Sequence, residues 1–360
     1  MKTSPFEAIA PGRVCLFGEH SDYLGLGVIS AAINLTIKVR ARPIEVREIQ
    51  VDYLDTGESD AFSIEEESQY KHPRDYVRGA FNVLFRRGVC PVQGWLIEVS
   101  GNIPFAAGLS SSSALTVAAV KSFAWTAGVE LEGEELANTA FHAEVTEFSE
   151  SGGMMDHYTS VFGNLIHLDP CGLTLLPASI IGLVVGDSLE PKKDTVGDLA
   201  AIRSSAEEGY RVLSKMIPGF NQLKTPMGQI ENHIDSLSGD CRRTTLTALR
   251  NRELTREAHR LLSKPDPDLD LLGNLIDKHH TLLRDGLNRS TEKIEAMIEA
   301  AKEVGALGCK INGSGGGGTM LALAPGKEAS VATAIESVGG RAYQVKMRGG
   351  CALKKAGEND

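Results

Sequence analysis

The sequence has no excess of positive charge. Its 360 residues include 37 Lys and Arg against 47 Asp and Glu, a formal net charge of −10 at pH 7 with histidine neutral. Basic residues occur only in short groups such as Arg86-Arg87 and Arg242-Arg243. Because nucleic-acid binding depends on clustered Lys and Arg side chains that contact phosphates, we expect no nucleic acid as a main partner.

The chain also lacks long apolar runs and paired cysteines. Its longest apolar stretch, near Ile180–Val185, is far shorter than the ~18 residues needed to span a bilayer, and the segment MKTSPFEAIA has no signal-peptide character. The six cysteines are scattered without a C-x-x-C pair, which argues against a zinc site and a secreted disulfide framework. We therefore expect a cytoplasmic protein with reduced thiols and no membrane partner.

What the sequence has in excess is glycine. It contains 38 glycines, well above the typical ~7%, and they cluster in a few short segments. Glycine-rich loops let backbone N–H groups approach an anion, because a residue without Cβ can adopt positive φ. These clusters predict a ligand that carries phosphate.

The length of the chain and the pattern of its strand-like and helix-like segments predict two domains. A chain of 360 residues exceeds the ~250–300 at which single cores stop growing. Strand-like and helix-like blocks alternate irregularly, which favours an α+β class over a doubly wound parallel sheet. From Leu173 onward, apolar strands are followed by a long stretch dominated by helices, so we place the domains at residues 1–172 and 173–360. We expect a short strand at Phe6–Ala10 and a single helix over Glu134–Phe148.

The densest glycine segment is Gly313–Gly318, which satisfies the pattern G-x-G-x-x-G. A dinucleotide fingerprint must follow a strand and open a helix, whereas this segment runs into the strand-like sequence TMLALA. A Walker A sequence does not occur in the chain. The segment is therefore either a tight hairpin between two strands or a binding loop of another kind.

A second candidate loop reads IPFAAGLSSSSA over residues 103–114. Its four serines precede an apolar helix, where their hydroxyls can cap the helix and the free N–H groups and the dipole can bind an anion. A serine hydroxyl there can also reach Mg²⁺ held by phosphates. Since one serine suffices for capping, a run of four favours a binding function.

The segment PGRVCLFGEHSDYLG concentrates polar residues beside glycine: Arg13, Glu19, His20 and Asp22. Carboxylates in such a segment can accept hydrogen bonds from the hydroxyls of a polyol. Taken alone, the segment is better explained as a solvated turn.

Two further carboxylates differ in their surroundings. Glu144 lies on an acidic helix, whereas Asp156 lies in the mostly apolar stretch MMDHYTSVFG and needs a partner there. A helix N-terminus would keep Asp156 ionised, as suits a general base or a charge stabiliser. Neighbouring histidines such as His142 and His157 have no metal-ligand spacing and are predicted to be structural or exposed.

Taken in chain order, four segments resemble the motifs of the GHMP small-molecule kinases: PGRVCLFGEHSDYLG, IPFAAGLSSSSAL, AEVTEFSESGGMMDHYTSVFG and KINGSGGGG. Within that superfamily the chain is most similar to the galactokinase family. The resemblance implies an N-terminal α+β domain with a left-handed βαβ topology and a ferredoxin-like α+β C-terminal domain. It also implies a monomer or weak homodimer that uses ATP and Mg²⁺ to phosphorylate a small-molecule sugar.

The resemblance assigns a role to each matching residue. Asp156 would be the base or charge-stabilising carboxylate, and Arg13 would orient it and stabilise developing charge. Mg²⁺ would be held by Ser112 and Glu144. The sugar site would be lined by Glu19, His20, Asp22 and Gly153. ATP would be bound by Tyr76, Ala106, Ala107, Gly108, Leu109, Ser110, Ser111, Ser112, Ser113, Gly315 and Gly316.

Several positions depart from the galactokinase pattern. Cys15 and Phe17 replace Asn and Ile, and the fragment LFGEH is as similar to mevalonate kinase. An extra serine leaves the Mg²⁺ ligand open between Ser112 and Ser113. Pro73 stands where galactokinases carry a tryptophan of the base pocket. These differences leave the chemistry better supported than the identity of the sugar.

The expected reaction is phosphorylation of the anomeric hydroxyl of galactose or a related monosaccharide. Alternative acceptors are a uronic acid, arabinose, a heptose or mevalonate. Asp22 favours a neutral polyol over mevalonate, because two carboxylates close together repel each other. A rival from another class is a catalytically silent sensor of sugar and ATP, against which the presence of Arg13, Glu144 and Asp156 counts.

Overall fold

The computed structural model describes residues 4–105, 107–150, 152–191 and 195–355. The strands in this part of the chain are β1 Phe6–Phe17, β2 Val28–Ile44, β3 Glu48–Tyr53, β4 Glu58–Ser63, β5 Gly94–Gly101, β6 Leu165–Asp169, β7 Gly172–Leu175, β8 Leu183–Asp187, β9 Gly308–Asn312, β10 Thr319–Leu323, β11 Arg341–Val345 and β12 Ala352–Lys355. The helices are α1 Tyr76–Phe85, α2 Ser111–Thr126, α3 Gly133–Phe141, α4 Met155–Phe162, α5 Thr195–Met216, α6 Met227–Glu231, α7 Gly239–Leu262, α8 Leu269–Thr281, α9 Glu292–Glu303 and α10 Glu328–Ser337.

The first sheet has the strand order β12-β1-β2-β5-β3-β4, and β6 pairs with both β2 and β7. Its pairings are antiparallel except for β3 with β5, which are parallel. Helix α2 packs on β1 and β2, and α4 packs beside it. The alanine-rich α2 is buried along most of its length, so its small side chains bring the helix close to the sheet. Trp95, Phe81 and Phe123 are among the largest buried side chains of this core.

The second sheet is antiparallel, with the order β11-β8-β10-β9. Along the chain, β8 is followed by helices, then by the hairpin of β9 and β10, and then by α10 and β11. This βαββαβ order is that of a ferredoxin-like fold. Helices α9 and α10 cover this sheet around a second apolar core that contains Met297, Ile311 and Ile335. The predicted α+β class and the ferredoxin-like second domain are confirmed.

The chain crosses between the two sheets more than once. Strand β7 pairs with β6 in the first sheet, so the boundary predicted after residue 172 falls inside β7, within a hairpin of that sheet. The last strand, β12, returns to pair with β1. Sheet membership therefore does not divide into two continuous halves of the chain.

Two elements differ from the sequence expectation. Strand β1 does not end at Ala10 but continues to Phe17, because its pairing with β2 shifts register between Pro11 and Arg13, and such a bulge tolerates proline and glycine. The helix expected over Glu134–Phe148 is α3 followed by the π-helical turn His142–Thr146. Both differences lie at candidate site residues, where π-turns and bulges are common.

All six cysteines lie in the described part of the chain and are free thiols. Among the described helices, none is both long enough and apolar enough to cross a membrane.

Candidate active site

The predicted site residues surround a cleft of about 570 Å³. That volume is typical of a small-molecule site. Three loops border it: the β1–β2 loop (residues 18–27), the serine loop (residues 102–110) and the glycine loop (residues 313–318). The start of α2 and the start of α4 complete the walls. Segments of both sheets thus contribute to one cavity.

Arg13 and Asp156 form a two-pronged ion pair in this cleft. Arg13 Nε donates to Asp156 Oδ1 at 2.7 Å, and Nη2 donates to Oδ2 at 3.0 Å. The Arg13 side chain is 6% exposed and the Asp156 side chain 27% exposed. Arg13 is held by β1 and Asp156 by the first turn of α4, whose dipole favours a carboxylate. The sequence prediction that Asp156 needs a partner is confirmed, and the partner is Arg13.

This pair fixes the charge of Asp156. Burial acts to raise the pKa of Asp156, but the neighbouring groups, first of them the positive charge of Arg13, together outweigh it, and the pKa of Asp156 lies below its ordinary value. The same carboxylate raises the pKa of Arg13 against the effect of burial. Asp156 is therefore ionised at neutral pH, and its two oxygens keep lone pairs for a further donor.

The serine loop leads directly into α2. Ser110 is the N-cap residue with φ 61, and within the described part of the chain its side chain makes no capping hydrogen bond. Ser110 therefore does not take up the capping role that the sequence leaves open for the serines, and the N–H groups of the first turn remain available for an anion. The four serines line the cleft together with Gly108. Ala107 and Leu109 point into the protein and are buried, and Ala106 lies outside the described residues.

Asp22 lines the same cleft, in a short 3₁₀ turn of the β1–β2 loop. Its Oδ1 accepts the Tyr23 N–H at 2.9 Å. Burial and the nearby charge of Asp156 raise the pKa of Asp22 to about 6. Gly153 packs directly against this carboxylate, since a Cβ at that position would lie 1.8 Å from Asp22 Oδ2. Glycine at 153 thus makes room for Asp22.

Glu19 and His20 are held by other side chains of the protein. Lys310, on β9, donates from Nζ to Glu19 Oε2 at 2.8 Å and to the Cys15 carbonyl at 2.8 Å. Glu19 and Lys310 are both buried. His20 Nδ1 and the Tyr23 hydroxyl are 2.9 Å apart, and burial lowers the pKa of His20 to about 4. Both predicted residues border the cleft, but their polar groups also support the β1–β2 loop.

Glu144 lies in the π-helical turn and is paired with a histidine. His157 Nε2 and Glu144 Oε2 are 2.7 Å apart, and both side chains are buried. His157, predicted to be structural or exposed, is buried and borders the cleft beside this carboxylate. Within the described residues, no cluster of three or more His, Cys, Asp or Glu side chains is arranged to hold a metal.

That donor set still suits Mg²⁺. Protein sites that bind Mg²⁺ with phosphates use one or two carboxylates or hydroxyls and leave the other positions to phosphate oxygens and water. Glu144, Ser112 and Ser113 all line the same cavity. One Glu144 oxygen accepts from His157, and the other carboxylate oxygen remains for a cation.

The glycine loop is a strand-to-strand connection, as the hairpin alternative predicts. Gly313 and Ser314 line the cleft, whereas Gly315 and Gly316 pack against Arg289. The Gly316 N–H donates to the Arg289 carbonyl at 2.8 Å. Both glycines have φ near +70, so their backbone conformation favours glycine.

The outer end of the cleft carries aromatic and charged groups. Tyr76 begins α1 and packs edge-to-face on Phe148, with ring centroids 5.7 Å apart. Beside it Arg74 Nε pairs with Glu150 Oε1 at 2.6 Å. These side chains form a half-buried rim suited to a planar ring.

Among the residues that sequence reasoning missed are His157 and Leu199, which line the cleft, and Lys310 and Asn312, which bind residues of its walls. Lys310 and Asn312 are polar residues on the fully buried strand β9, and a charged residue in an apolar strand is a signal that it has a buried partner. Both lie in the motif KINGSGGGG, of which the sequence analysis interpreted only the glycines. Leu199 lines the cleft from α5, and its sequence surroundings carry no signal of that position.

Three family models match the chain. Residues 75–164 match "GHMP kinases N terminal domain", and residues 255–341 match "GHMP kinases C terminal". Residues 1–43, which include Arg13 and the β1–β2 loop, match "Galactokinase galactose-binding signature".

Characterised relatives of two kinds resemble the chain over most of its length. It is 32% identical to the mevalonate kinase of Pyrococcus furiosus, over 92% of this chain and 93% of that protein. It is 31% identical to the galactokinase of Roseiflexus sp. strain RS-1, over 87% of this chain and 82% of that protein. The two similarities are close in size and do not separate the two activities.

Solved structures share the fold. The galactokinase of Lactococcus lactis in complex with galactose superposes with a TM-score of 0.86, at 21% identity, over 97% of this chain and 95% of that chain. The mevalonate kinase of Methanococcus jannaschii superposes with a TM-score of 0.75, at 19% identity, over 97% of this chain and 100% of that chain.

Proposed function

The chain belongs to the GHMP kinase family, and from this premise we propose that it transfers the γ-phosphoryl group of ATP to the anomeric hydroxyl of galactose or a related monosaccharide. The observation that carries the proposal is the Arg13–Asp156 ion pair in the cleft, with bond lengths of 2.7 and 3.0 Å. The first-turn serines of α2 and the carboxylate of Asp22 line the same cleft as this pair, and the charge of Asp156 acts on Asp22. This combination suits a phosphate donor at the helix start and a polyol at Asp22.

The start of α2 is the proposed phosphate end. Its free N–H groups and the serine hydroxyls beside them suit the negative oxygens of ATP. Mg²⁺ would be held by Glu144 and by Ser112 or Ser113, and when bound it would neutralise phosphate charge. Tyr76 at the rim would contact the base.

Asp156 is the proposed contact of the acceptor hydroxyl. Phosphoryl transfer passes through a loose transition state, so positioning the nucleophile matters more than deprotonating it early. The pKa of Asp156 is depressed by Arg13, which makes this carboxylate a strong hydrogen-bond acceptor and a weak base. Asp156 would therefore orient the hydroxyl and accept its proton late, while Arg13 counters charge at the reacting centre.

Two observations support a sugar as acceptor. Asp22 offers a carboxylate to hydroxyl groups at the acceptor end, and the match to the galactose-binding signature covers this loop. A second candidate, mevalonate, is supported by the 32% identity to a mevalonate kinase over 92% of the chain. Against mevalonate, its own carboxylate would lie in a cleft that already holds Asp22 and Asp156.

The test is ATP consumption against a panel of acceptors: galactose, arabinose, a uronic acid, a heptose and mevalonate. We expect turnover with a neutral sugar and a product whose ³¹P signal is split by the anomeric proton and which is labile to acid. Turnover with mevalonate alone would contradict the proposed acceptor and leave the family chemistry intact.

Asp156→Asn is the matched variant for the chemical step. It keeps the size of the side chain and removes its charge, so we expect ATP binding within a few-fold of wild type and turnover lower by at least ~100-fold.

A sensor of sugar and ATP would bind both ligands and turn over neither in the wild-type protein. Binding of both without turnover would therefore contradict the kinase proposal.

A further inference from the structure

Asn312, the last residue of β9, joins three parts of the site. Its Oδ1 accepts the Cys15 N–H at 2.9 Å, and its Nδ2 donates to the Gly108 carbonyl at 2.9 Å. Nδ2 also donates to Thr319 Oγ1 at 3.3 Å. The side chain is fully buried. The amide thus links β1, the serine loop and β10 across 297 and 204 residues of sequence.

The orientation of this amide follows from its partners. A backbone N–H can only donate and a carbonyl can only accept, so the oxygen must face Cys15 and the nitrogen must face Gly108. Asparagine is the residue type that meets both demands at this length. A carboxylate would place an oxygen against the Gly108 carbonyl, and an apolar side chain would leave both backbone groups without their partner.

The Gly108 carbonyl is also an acceptor for the candidate catalytic arginine. Arg13 Nη1 donates to it at 2.6 Å, while the other two nitrogens of the guanidinium face Asp156. Both acceptor directions of this carbonyl are therefore used, one by Arg13 and one by Asn312. The planar guanidinium of Arg13 is thus bound on one side by Asp156 and on the other by the Gly108 carbonyl, and Asn312 holds that carbonyl in place.

We propose that Asn312 is a positioning residue for phosphoryl transfer: it holds the Gly108 carbonyl where that carbonyl orients Arg13 towards Asp156. The inference rests on the proposed function for the reaction that Arg13 and Asp156 serve. Asn312, on a strand of the second sheet, thereby supports the pair formed by Arg13 on β1 and Asp156 on α4.

The test compares Asn312→Leu with Asn312→Ser, a smaller polar variant that keeps one hydrogen bond. The matched control is Asn82→Leu, because Asn82 is also buried and also binds one backbone N–H and one carbonyl, both of Ser68, at 2.8 Å. We expect both Asn312 variants to lower kcat, Asn312→Leu by ~10- to 100-fold, with the KM for the acceptor within threefold. Asn82→Leu should lose stability and keep kcat.

A double-mutant cycle with Arg13→Lys tests the route of the effect. Lysine keeps the charge but cannot bridge Gly108 and Asp156 with a planar fork. If Asn312 acts through Arg13, Asn312→Leu lowers kcat by less than ~3-fold in the Arg13→Lys background. An equal loss in both backgrounds, or an equal loss in Asn82→Leu, would overturn the proposal.

A third readout needs no acceptor. The ¹³C carboxyl signal of Asp156, assigned with Asp156→Asn, reports the pKa of Asp156 in the resting protein. Loosening Arg13 should move that pKa upward in Asn312→Leu and leave it unchanged in Asn82→Leu. If wild type turns over no acceptor, the proposed function fails, and an unchanged Asp156 pKa in both Asn312 variants then overturns this inference separately.

Discussion

The two carboxylates of the cleft, Asp22 and Asp156, have opposite pKa shifts. Both are half-buried, but Asp156 is paired with Arg13, which lowers its pKa, whereas burial and the charge of Asp156 raise the pKa of Asp22 to about 6. Environments that push two pKa values apart commonly mark distinct chemical roles. Here they separate a permanently ionised group at the proposed reacting centre from one that titrates near neutrality.

Asp22→Asn should weaken use of the acceptor. A hydrogen bond to a charged group contributes about 1.5–3 kcal/mol, so we expect kcat/KM for the acceptor to fall ~10- to 100-fold at pH 7.5. In wild type, Asp22 becomes protonated as pH falls through about 6, so kcat/KM should decline there. The pH profile of kcat/KM from pH 5 to 8 measures both effects.

In Asp22→Asn the decline near pH 6 should disappear, because the amide does not titrate. The KM for ATP is the internal control and should stay within threefold, since Asp22 is proposed to contact the acceptor and not the phosphates. An acid limb that survives unchanged in the variant would assign it to another group.

The buried ion pair of Lys310 and Glu19 dominates the energetics of the β1–β2 loop. Removing one partner of such a pair leaves an uncompensated buried charge, which costs about 3–5 kcal/mol. Lys310→Met should therefore lower the free energy of unfolding by that amount, as measured by urea denaturation at pH 7. Adding Glu19→Gln should restore part of the loss, because no buried charge then remains.

The matched control is the exposed pair of Arg203 and Glu207, four residues apart on α5. Arg203→Met should change the free energy of unfolding by less than ~0.5 kcal/mol, as exposed pairs do. A loss in Lys310→Met no larger than that of the control would mean that the Glu19 charge left behind is compensated by water or by protonation.

At the scale of elements, sequence patterns located the serine loop, α2 and the hairpin at the glycine loop. They failed at β1, because Pro11 and Gly12 are ordinarily strand breakers and the bulge that accommodates them depends on pairing with β2. They also failed at the end of α3, where hydrophobic periodicity cannot distinguish a π-helical turn from a continued α-helix. In both cases the tertiary partner decides the local structure.

The glycine loop offers a test of why glycine is needed there. Gly315 has φ +72, and a Cβ at this position would lie 2.6 Å from the Arg289 carbonyl oxygen. Gly326 has φ +74 with no described atom within 4 Å of such a Cβ. Both Gly→Ala variants pay the backbone cost of about 1 kcal/mol, and Gly315→Ala should lose a further ~1–3 kcal/mol from the clash.

Activity should separate the two variants as well. Gly315→Ala shifts a loop whose first residues, Gly313 and Ser314, line the cleft, so kcat should fall with stability. Gly326→Ala lies in the turn after β10 and should keep kcat. Urea denaturation and steady-state kinetics on both variants measure the two effects, and equal losses of stability would contradict the clash.

At the scale of the whole molecule, side chains of the second sheet and its helices hold the end of β1. Lys310 and Asn312 bind the carbonyl and the N–H of Cys15, and His279 on α8 binds the Leu16 carbonyl. These contacts join residues 263 to 297 positions apart. Motif spacing carries no information at that separation, which is why the sequence indicated the candidate catalytic residues, each within its own motif, but not the residues that support them.

His279 makes this junction sensitive to acid. The ring is fully buried, stacks on Phe17 with centroids 5.8 Å apart, and must donate from Nδ1 to the Leu16 carbonyl at 3.1 Å. Burial, and then the positive charge of Lys310, hold the pKa of His279 well below its usual range. In the unfolded chain the imidazole takes up a proton as pH falls below ~6.5, whereas the folded state does not, so stability is lost on acidification.

The loss amounts to about 1.4 kcal/mol per pH unit below 6.5 for one such histidine, or about 2 kcal/mol at pH 5. His279→Gln keeps a donor for the Leu16 carbonyl and removes the titration, so its loss of unfolding free energy between pH 7.5 and pH 5 should be smaller than that of wild type by about 2 kcal/mol. His72→Gln, at an exposed position, controls for removing one histidine. Equal losses in wild type and His279→Gln, measured by urea denaturation, would mean that the junction opens to water before the molecule unfolds.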